Sequence, residues 1–153
     1  MVMTRVFSSL DQLRDALGEE IGPSAPLVVE QERIDAFADA TGDHQWIHVD
    51  TERAADGPYG TTIAHGFLTL SLIPLFGRDL YSIEFGSARL NYGLNKVRFP
   101  APVPVGSSLT ATVTFTDIAE GPAGATVTAK YVITAEGAAK PSCIAEFLVV
   151  VTG

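Results

Sequence analysis

The fold of this chain is decided by the segment Thr61-Thr62-Ile63-Ala64-His65-Gly66-Phe67-Leu68-Thr69-Leu70-Ser71-Leu72-Ile73-Pro74-Leu75-Phe76. From Phe67 onward, apolar residues occupy nearly every face of the predicted helix, so we expect that helix to be buried. The run is too short to cross a lipid bilayer. Because proline lacks a backbone N–H and crowds the preceding turn, Pro74 predicts that the helix bends or breaks near residues 70–74.

The C-terminal half predicts a sheet that could cover this helix. Apolar residues alternate with threonines over residues 109–116, and the apolar residues Val127, Ala129, Tyr131 and Ile133 recur at the same spacing, which is the period of a strand with one buried face. Residues 121–124 predict a hairpin between these strands. Residues 81–91 and 95–99 predict two more strands, and residues 143–151 a last one. The sequence therefore predicts an α+β fold in which an antiparallel sheet of about five or six strands packs on the apolar helix.

Composition favours one folded domain over residues 1–153, with residues 1–26 forming an N-terminal helix (8–17) and a connector. Hydrophobic residues make up 46% of the chain and charged residues 18%, which excludes a disordered protein. A net charge of −8 argues against a nucleic-acid surface. The single cysteine, Cys143, excludes an intrachain disulfide and is expected to be a buried small hydrophobe. We see no signal peptide and expect a cytoplasmic protein without membrane spans.

The segment from Phe37 to His48 (FADATGDHQWIH) is the first candidate for chemistry. Residues 31–41 predict an amphipathic helix that ends at Gly42, so Asp43 falls on the following turn. A turn or short helix must then bring His48 back towards Asp43, and Trp46 should bury beside them. A carboxylate and an imidazole could together hold a water. The alternatives are that Asp43 only stabilises a turn and that His48 is a core histidine.

Gly66 is the second candidate. It is expected near the N-terminus of the apolar helix, where backbone N–H groups have no intrahelical partner and the helix dipole is positive. An amide with no side chain above it can approach a carbonyl oxygen closely and stabilise developing negative charge. The alternative is that Gly66 serves only close helix packing.

These two segments together resemble the MaoC-like (R)-specific enoyl-CoA hydratases and dehydratases, including their nodulation-protein-N-like relatives. The family pattern of an aromatic residue, Ser/Thr-Gly-Asp, an aliphatic residue and His is matched by Phe37, Thr41-Gly42-Asp43, Ile47 and His48. Gln45-Trp46 replaces the family's Asn-Pro. The family's His-Gly segment is matched by residues 63–67, and its strand and Phe-Pro turn by residues 95–103. The resemblance extends from about residue 27 to the C-terminus.

The resemblance implies a hotdog fold, a hydro-lyase of the enoyl-CoA hydratase type, and a homodimer. It maps Asp43 and His48 onto the catalytic pair and Gly66 onto the amide that binds the thioester oxygen. The substrate would be an enoyl-CoA or enoyl-acyl-carrier-protein of fatty-acid metabolism, with CoA as part of the substrate and no other cofactor. Candidate substrate-pocket residues are Trp46, His65, Phe67, Ser71 and Asn95. Lys96 and Arg98 are candidates for the CoA phosphates, although either could be an ordinary surface charge.

Three other functions remain open at this stage. A thioesterase would also polarise a thioester and activate water, but such hotdog enzymes generally lack this Asp and His spacing. An acyl-thioester-binding protein would need the pocket but not both Asp43 and His48, and the Gln45-Trp46 departure is compatible with it. A metal site could use His44 and His48 with Asp43, Asp50 and His65. Since the HExxH pattern is absent, we expect no metal.

Overall fold

The computed structural model describes residues 3–153, so the N-terminal Met1 and Val2 lie outside the described residues. The helices of these described residues are, in chain order, α1 (Leu10–Asp15), α2 (Gln31–Thr41), α3 (Trp46–Val49), α4 (Thr51–Ala55), α5 (Gly66–Ser71) and α6 (Ile73–Leu80). The strands of the same part of the chain are β1 (Arg5–Phe7), β2 (Glu20–Ile21), β3 (Leu27–Val28), β4 (Tyr81–Ile83), β5 (Ala88–Arg98), β6 (Ser108–Gly121), β7 (Gly124–Ala135) and β8 (Cys143–Thr152).

The apolar helix is broken as its sequence predicts. α5 ends at Ser71, and α6 begins at Ile73 with Pro74 in its first turn, where a missing N–H costs no helical hydrogen bond. The buried side of α6 carries Ile73, Phe76 and Leu80. Gly77 allows this helix to lie directly on the sheet, because a Cβ there would stand 2.8 Å from the Tyr131 hydroxyl.

The main sheet has six strands and confirms the predicted α+β class. Its order is β2-β6-β7-β8-β5, with β3 also pairing with β6, and all of its pairs are antiparallel. The inward residues of β6 and β7 are the apolar ones of the alternating pattern, and all are buried: Leu109, Ala111, Val113, Phe115, Val127, Ala129, Tyr131 and Ile133. The sheet wraps around α5 and α6, which is the hotdog arrangement.

Two strand predictions were wrong. Residues 81–91 and 95–99 do not form two strands of one sheet. Instead β4 pairs in parallel with β1 in a separate two-stranded sheet, and β5 runs unbroken through Asn95. Its glycine and asparagines are accommodated by two irregularities in the pairing with β8, at Asn91/Gly93 and Leu94/Val97. A β-bulge absorbs one extra residue without ending a strand. The N-terminal helix is also shorter than predicted, and Leu17 lies outside it and is exposed.

Cys143 is buried at the start of β8, as predicted, and should be unreactive. Burial raises the pKa of its thiol to about 11, so almost none of the reactive thiolate is present at pH 8. We expect a chromogenic disulfide to titrate no thiol in the folded protein and one thiol after denaturation. Rapid labelling of the folded protein would contradict the observed burial.

Within residues 3–153, none of the helices has the length and apolar character needed to span a membrane.

Candidate active site

Asp43 is placed by the end of α2. The helix ends at Gly42, whose φ of 82° is the left-handed conformation that glycine adopts without strain, and whose N–H donates to the Ala38 carbonyl. Both helix bounds, residues 31 and 41, agree with the sequence prediction. The Asp43 carboxylate is exposed, and among residues 3–153 it accepts one hydrogen bond, a long one of 3.4 Å from the Gln45 N–H. It is therefore available to another donor.

His48 is buried on α3, and its tautomer follows from one contact. Its Nδ1 lies 2.7 Å from the Ile63 carbonyl oxygen. Because a carbonyl oxygen can only accept, Nδ1 carries the proton in this contact. The neutral ring therefore presents the lone pair of Nε2, which makes His48 a hydrogen-bond acceptor at that atom.

Three further hydrogen bonds fix α3 against the segment that precedes α5. The Ile63 N–H donates to the Ile47 carbonyl at 3.0 Å. The Gln31 side-chain amide donates to the His48 carbonyl at 2.8 Å and accepts from the buried Thr62 hydroxyl at 2.5 Å. The first residue of α2 thus joins the two segments that carry His48 and Gly66, and the imidazole is held in one orientation.

His65 connects Asp43 to His48. Its Nε2 donates to the Asp43 backbone carbonyl at 2.9 Å, and its ring stacks on His48 with centroids 3.9 Å apart and an interplanar angle of 25°. One potential ligand atom from each of Asp43, His48 and His65 lies within 4.8 Å of the others. The predicted pocket residue His65 is therefore next to the pair, where it supports both residues.

The geometry of the same cluster of Asp43, His48 and His65 fits a metal site poorly. Stacked imidazoles hold their in-plane lone pairs in nearly parallel planes, whereas the ligands of a tetrahedral ion must converge on one point. His44 and Asp50 stand outside the cluster. Asp50 accepts from the Arg53 N–H as the cap of α4. The exposed His44 lies 2.8 Å from Asp39, and this hydrogen bond raises the pKa of His44.

Gly66 is the first residue of α5, directly after the cap residue His65. Its N–H belongs to the first turn, which has no intrahelical acceptor. The Phe99 ring covers its Cα, since a Cβ at this position would come within 3.0 Å of two ring carbons. The lack of a side chain at Gly66 thus leaves room for the Phe99 ring.

His48 and Gly66 border the same cavity of about 400 Å³. The other residues that line it are Tyr59, Ile63, Ala64, Thr69, Phe99, Pro100, Ala101, Pro102, Val103 and Ser142. His48 and the first residue of α5 therefore border one cavity, and Asp43 lies beside the imidazole. The loop of residues 56–60, which follows α4, contributes Tyr59 to the cavity wall.

None of the five predicted pocket residues lines the cavity. His65 packs against His48 instead, and the other four lie further away. Trp46 is half-buried and packs under Arg53, whose guanidinium carbon lies 4.3 Å from its ring centroid. Phe67 is 68% exposed and touches Phe99 edge to face. The Ser71 hydroxyl donates to the Phe67 carbonyl of its own helix. Asn95 is exposed on the edge strand β5.

The predicted phosphate contacts also lie on β5. Lys96 and Arg98 are exposed, and the Arg98 guanidinium donates to the Val97 carbonyl at 2.7 Å. Arg89, near the start of the same strand, donates to the Ile83 carbonyl. The role of Lys96 and Arg98 stays a prediction.

Sequence reasoning missed several cavity residues. Tyr59, Thr69 and Ser142 come from a loop, the middle of α5 and the residue before β8. Thr69 could have been found from the sequence, because it follows Gly66 by three residues, a spacing that places both on one face of a helix. Ser142 carries no such sequence signal, because only long-range packing brings it to the cavity that His48 also lines. The Phe99-Pro100 turn was recognised as a motif but not as a cavity wall.

Comparison with known proteins gives a consistent result. A family model described as a MaoC like domain matches residues 12–137. The 3-hydroxyacyl-thioester dehydratase Z of Mycobacterium tuberculosis is 53% identical over 148 residues, which cover 95% of this chain and 97% of that protein. Nodulation protein N of Rhizobium leguminosarum bv. viciae is 50% identical over 101 residues, covering 65% of this chain and 63% of that protein.

Among solved structures, an (R)-hydratase from A. caviae involved in PHA biosynthesis superposes with a TM-score of 0.72. It is 25% identical in sequence, and the match covers 88% of this chain and 96% of that chain.

Proposed function

The chain belongs to the MaoC-like domain family, and we propose that it is a hydro-lyase that adds water reversibly to trans-2-enoyl thioesters to give (R)-3-hydroxyacyl thioesters. The observation that carries the proposal is the cavity shared by His48 and Gly66, with the Asp43 carboxylate next to the His48 ring. The same site runs the dehydration in reverse.

Asp43 and His48 each offer a hydrogen-bond acceptor, and together these two acceptors are suited to orient one water. The Asp43 carboxylate and the Nε2 lone pair of His48 can each accept one hydrogen of the same molecule. The oxygen lone pair is then free to attack C3 of the enoyl group. As the C3–O bond forms, a proton passes to the pair, and a proton returns to C2. We assign uptake of the water proton to Asp43, whereas His48 orients the water and assists the return of that same proton to C2, which leaves both groups as they began.

The Gly66 N–H has the complementary task. When water adds to C3, the electron pair of the C2–C3 double bond moves towards the thioester carbonyl and places negative charge on its oxygen. A hydrogen bond from the first-turn amide of α5 stabilises that enolate. His48 and Gly66 thus act on opposite ends of the conjugated system.

The proposal also covers the carrier of the acyl thioester and the residues that contact it. The carrier is CoA or acyl carrier protein, and it belongs to the substrate, so the mechanism uses no resident cofactor or metal. Lys96 and Arg98 are proposed to contact the phosphates of CoA, since they are local cations on a chain of net charge −8. A cytoplasmic location stays a prediction.

The assembly proposed for this protein is a homodimer formed through β5. This strand is at the edge of the six-stranded sheet and exposes three apolar side chains, Leu90, Tyr92 and Leu94. An exposed edge strand offers unpaired backbone groups to another strand. Pairing of β5 with its copy would bury these side chains and extend the sheet.

Leu94→Glu would place one glutamate from each chain in the β5 contact, where the two like charges repel. We therefore expect the wild type to be a dimer and Leu94→Glu a monomer, as measured by light scattering after gel filtration. Leu17→Glu is the matched control, since Leu17 is 37% exposed and Leu94 42%, and Leu17 lies outside β5. A wild-type protein that elutes as a single chain, or a Leu94→Glu protein that stays paired, would contradict the proposed contact.

The reaction is tested by separating the products formed from crotonyl-CoA. Hydratase activity predicts (R)-3-hydroxybutyryl-CoA, identified by its mass and by chiral analysis. Free CoA with crotonate would indicate a thioesterase instead. If the folded protein binds crotonyl-CoA and longer trans-2-enoyl-CoAs but leaves them unchanged, the result would indicate a binding protein.

A further inference from the structure

Ser142 has a side chain that the fold leaves without a partner. The residue is 2% exposed, and within residues 3–153 its Oγ finds no hydrogen-bond donor or acceptor. Its backbone is fixed, because its N–H donates to the Ile133 carbonyl at 2.7 Å. A buried hydroxyl without a partner destabilises a protein, so its presence needs a reason.

The position of Ser142 supplies that reason. It lines the cavity that His48 and Gly66 also border, together with the buried Thr69. Ser142 belongs to the segment between β7 and β8, whereas His48 lies on α3 and Gly66 and Thr69 on α5, so three separate parts of the chain meet at this cavity. A hydroxyl in such a place can meet its hydrogen-bonding requirement when a ligand fills the cavity.

We propose that Ser142 is a substrate-binding residue whose hydroxyl donates a hydrogen bond to an oxygen of the acyl thioester in the cavity. This inference rests on the proposed function for the identity of the ligand. The resemblance that identified the family assigned no role to this position, and the hydroxyl is distinct from the groups that hold the water and the enolate. In the free protein the hydroxyl is unpaired, and in the complex it is paired.

This arrangement predicts opposite effects of one substitution on binding and on stability. Ser142→Ala should weaken binding of butyryl-CoA, a saturated thioester that cannot be hydrated, by about three- to tenfold in calorimetric titration. The same change removes an unpaired hydroxyl, so the Tm of the free protein should stay level or rise. A residue that only supports the fold would lower the Tm and leave binding unchanged.

Ser24→Ala is the matched control. Ser24 is 3% exposed, but its hydroxyl accepts from the Ala111 N–H at 2.9 Å and donates to the Ala25 carbonyl at 3.1 Å, outside the cavity. Its removal should lower the Tm by about 2–4 °C while butyryl-CoA binding stays within twofold of the wild type.

The proposal is overturned if Ser142→Ala binds butyryl-CoA as tightly as the wild type, or if its Tm falls as far as that of Ser24→Ala. It is also overturned if the wild type does not bind butyryl-CoA. A wild type that binds butyryl-CoA but does not hydrate crotonyl-CoA would refute only the proposed reaction. The affinities of Ser142→Ala and Ser24→Ala for butyryl-CoA would still test the role of Ser142.

Discussion

Replacing Asp43 by asparagine should lower kcat on crotonyl-CoA by about 10²- to 10⁴-fold, the usual contribution of a positioned general acid or base. The amide cannot take a proton from water, whereas the carboxylate can. The fold should be unaffected, because the asparagine oxygen can still accept from the Gln45 N–H, and the contact with His65 uses the Asp43 backbone carbonyl. The measurement is the initial rate of loss of enoyl-thioester absorbance, with the Tm recorded beside it.

Asp39→Asn is the control for this change. Asp39 is an exposed carboxylate on α2 that pairs with the exposed His44, so the same chemical replacement there should leave the rate unchanged. If Asp43→Asn keeps wild-type activity, or if both variants lose it equally, Asp43 has no part in the chemistry.

Replacing Gly66 by proline should lower kcat by about 10²- to 10³-fold relative to Gly66→Ala, because proline removes the N–H proposed to bind the thioester oxygen. The backbone accepts this change. Gly66 is the first helical residue, where proline is well tolerated. The preceding residue, His65, has φ −61° and ψ 141°, the extended conformation that a residue before proline prefers.

Gly66→Ala separates the loss of the amide from the effect of added bulk. Both substitutions place a Cβ about 3.0 Å from the Phe99 ring, which is partly exposed and can shift. Alanine retains the N–H and proline does not. Equal activity of the two folded variants would show that the Gly66 amide does not stabilise the enolate.

The elements predicted well from sequence are those that depend on local pattern. Helix α2 has the predicted bounds because its apolar period and the glycine after it act over a few residues. The break between α5 and α6 follows from the chemistry of Pro74 alone. The long strands β6 and β7 follow from strict alternation of apolar and polar residues.

The elements predicted poorly depend on distant partners. β1 and β4 are three residues each and pair across more than seventy positions, so neither carries a local signal. β5 contains Gly93 and two asparagines that favour turns, yet the pairing with β8 keeps it extended. In each case a tertiary contact outweighs the local preference.

The site was predicted in part for the same reason. Asp43, His48 and Gly66 belong to short motifs, and the structure brings His48 close to both of the others. Phe67 was expected to be buried because its helix is apolar all round, but it stands at an uncovered side of α5. Ser142 could not have been found, since only the fold places it on the cavity wall.

The most direct test of the account is to give the wild-type protein crotonyl-CoA and to follow enoyl absorbance and free thiol in the same sample. The buried Cys143 should not add to the thiol signal of the folded protein. The account predicts that the absorbance falls with no thiol released, and that Asp43→Asn and His48→Gln each abolish the fall. Release of thiol, or a folded wild-type protein that leaves the absorbance unchanged, would contradict it.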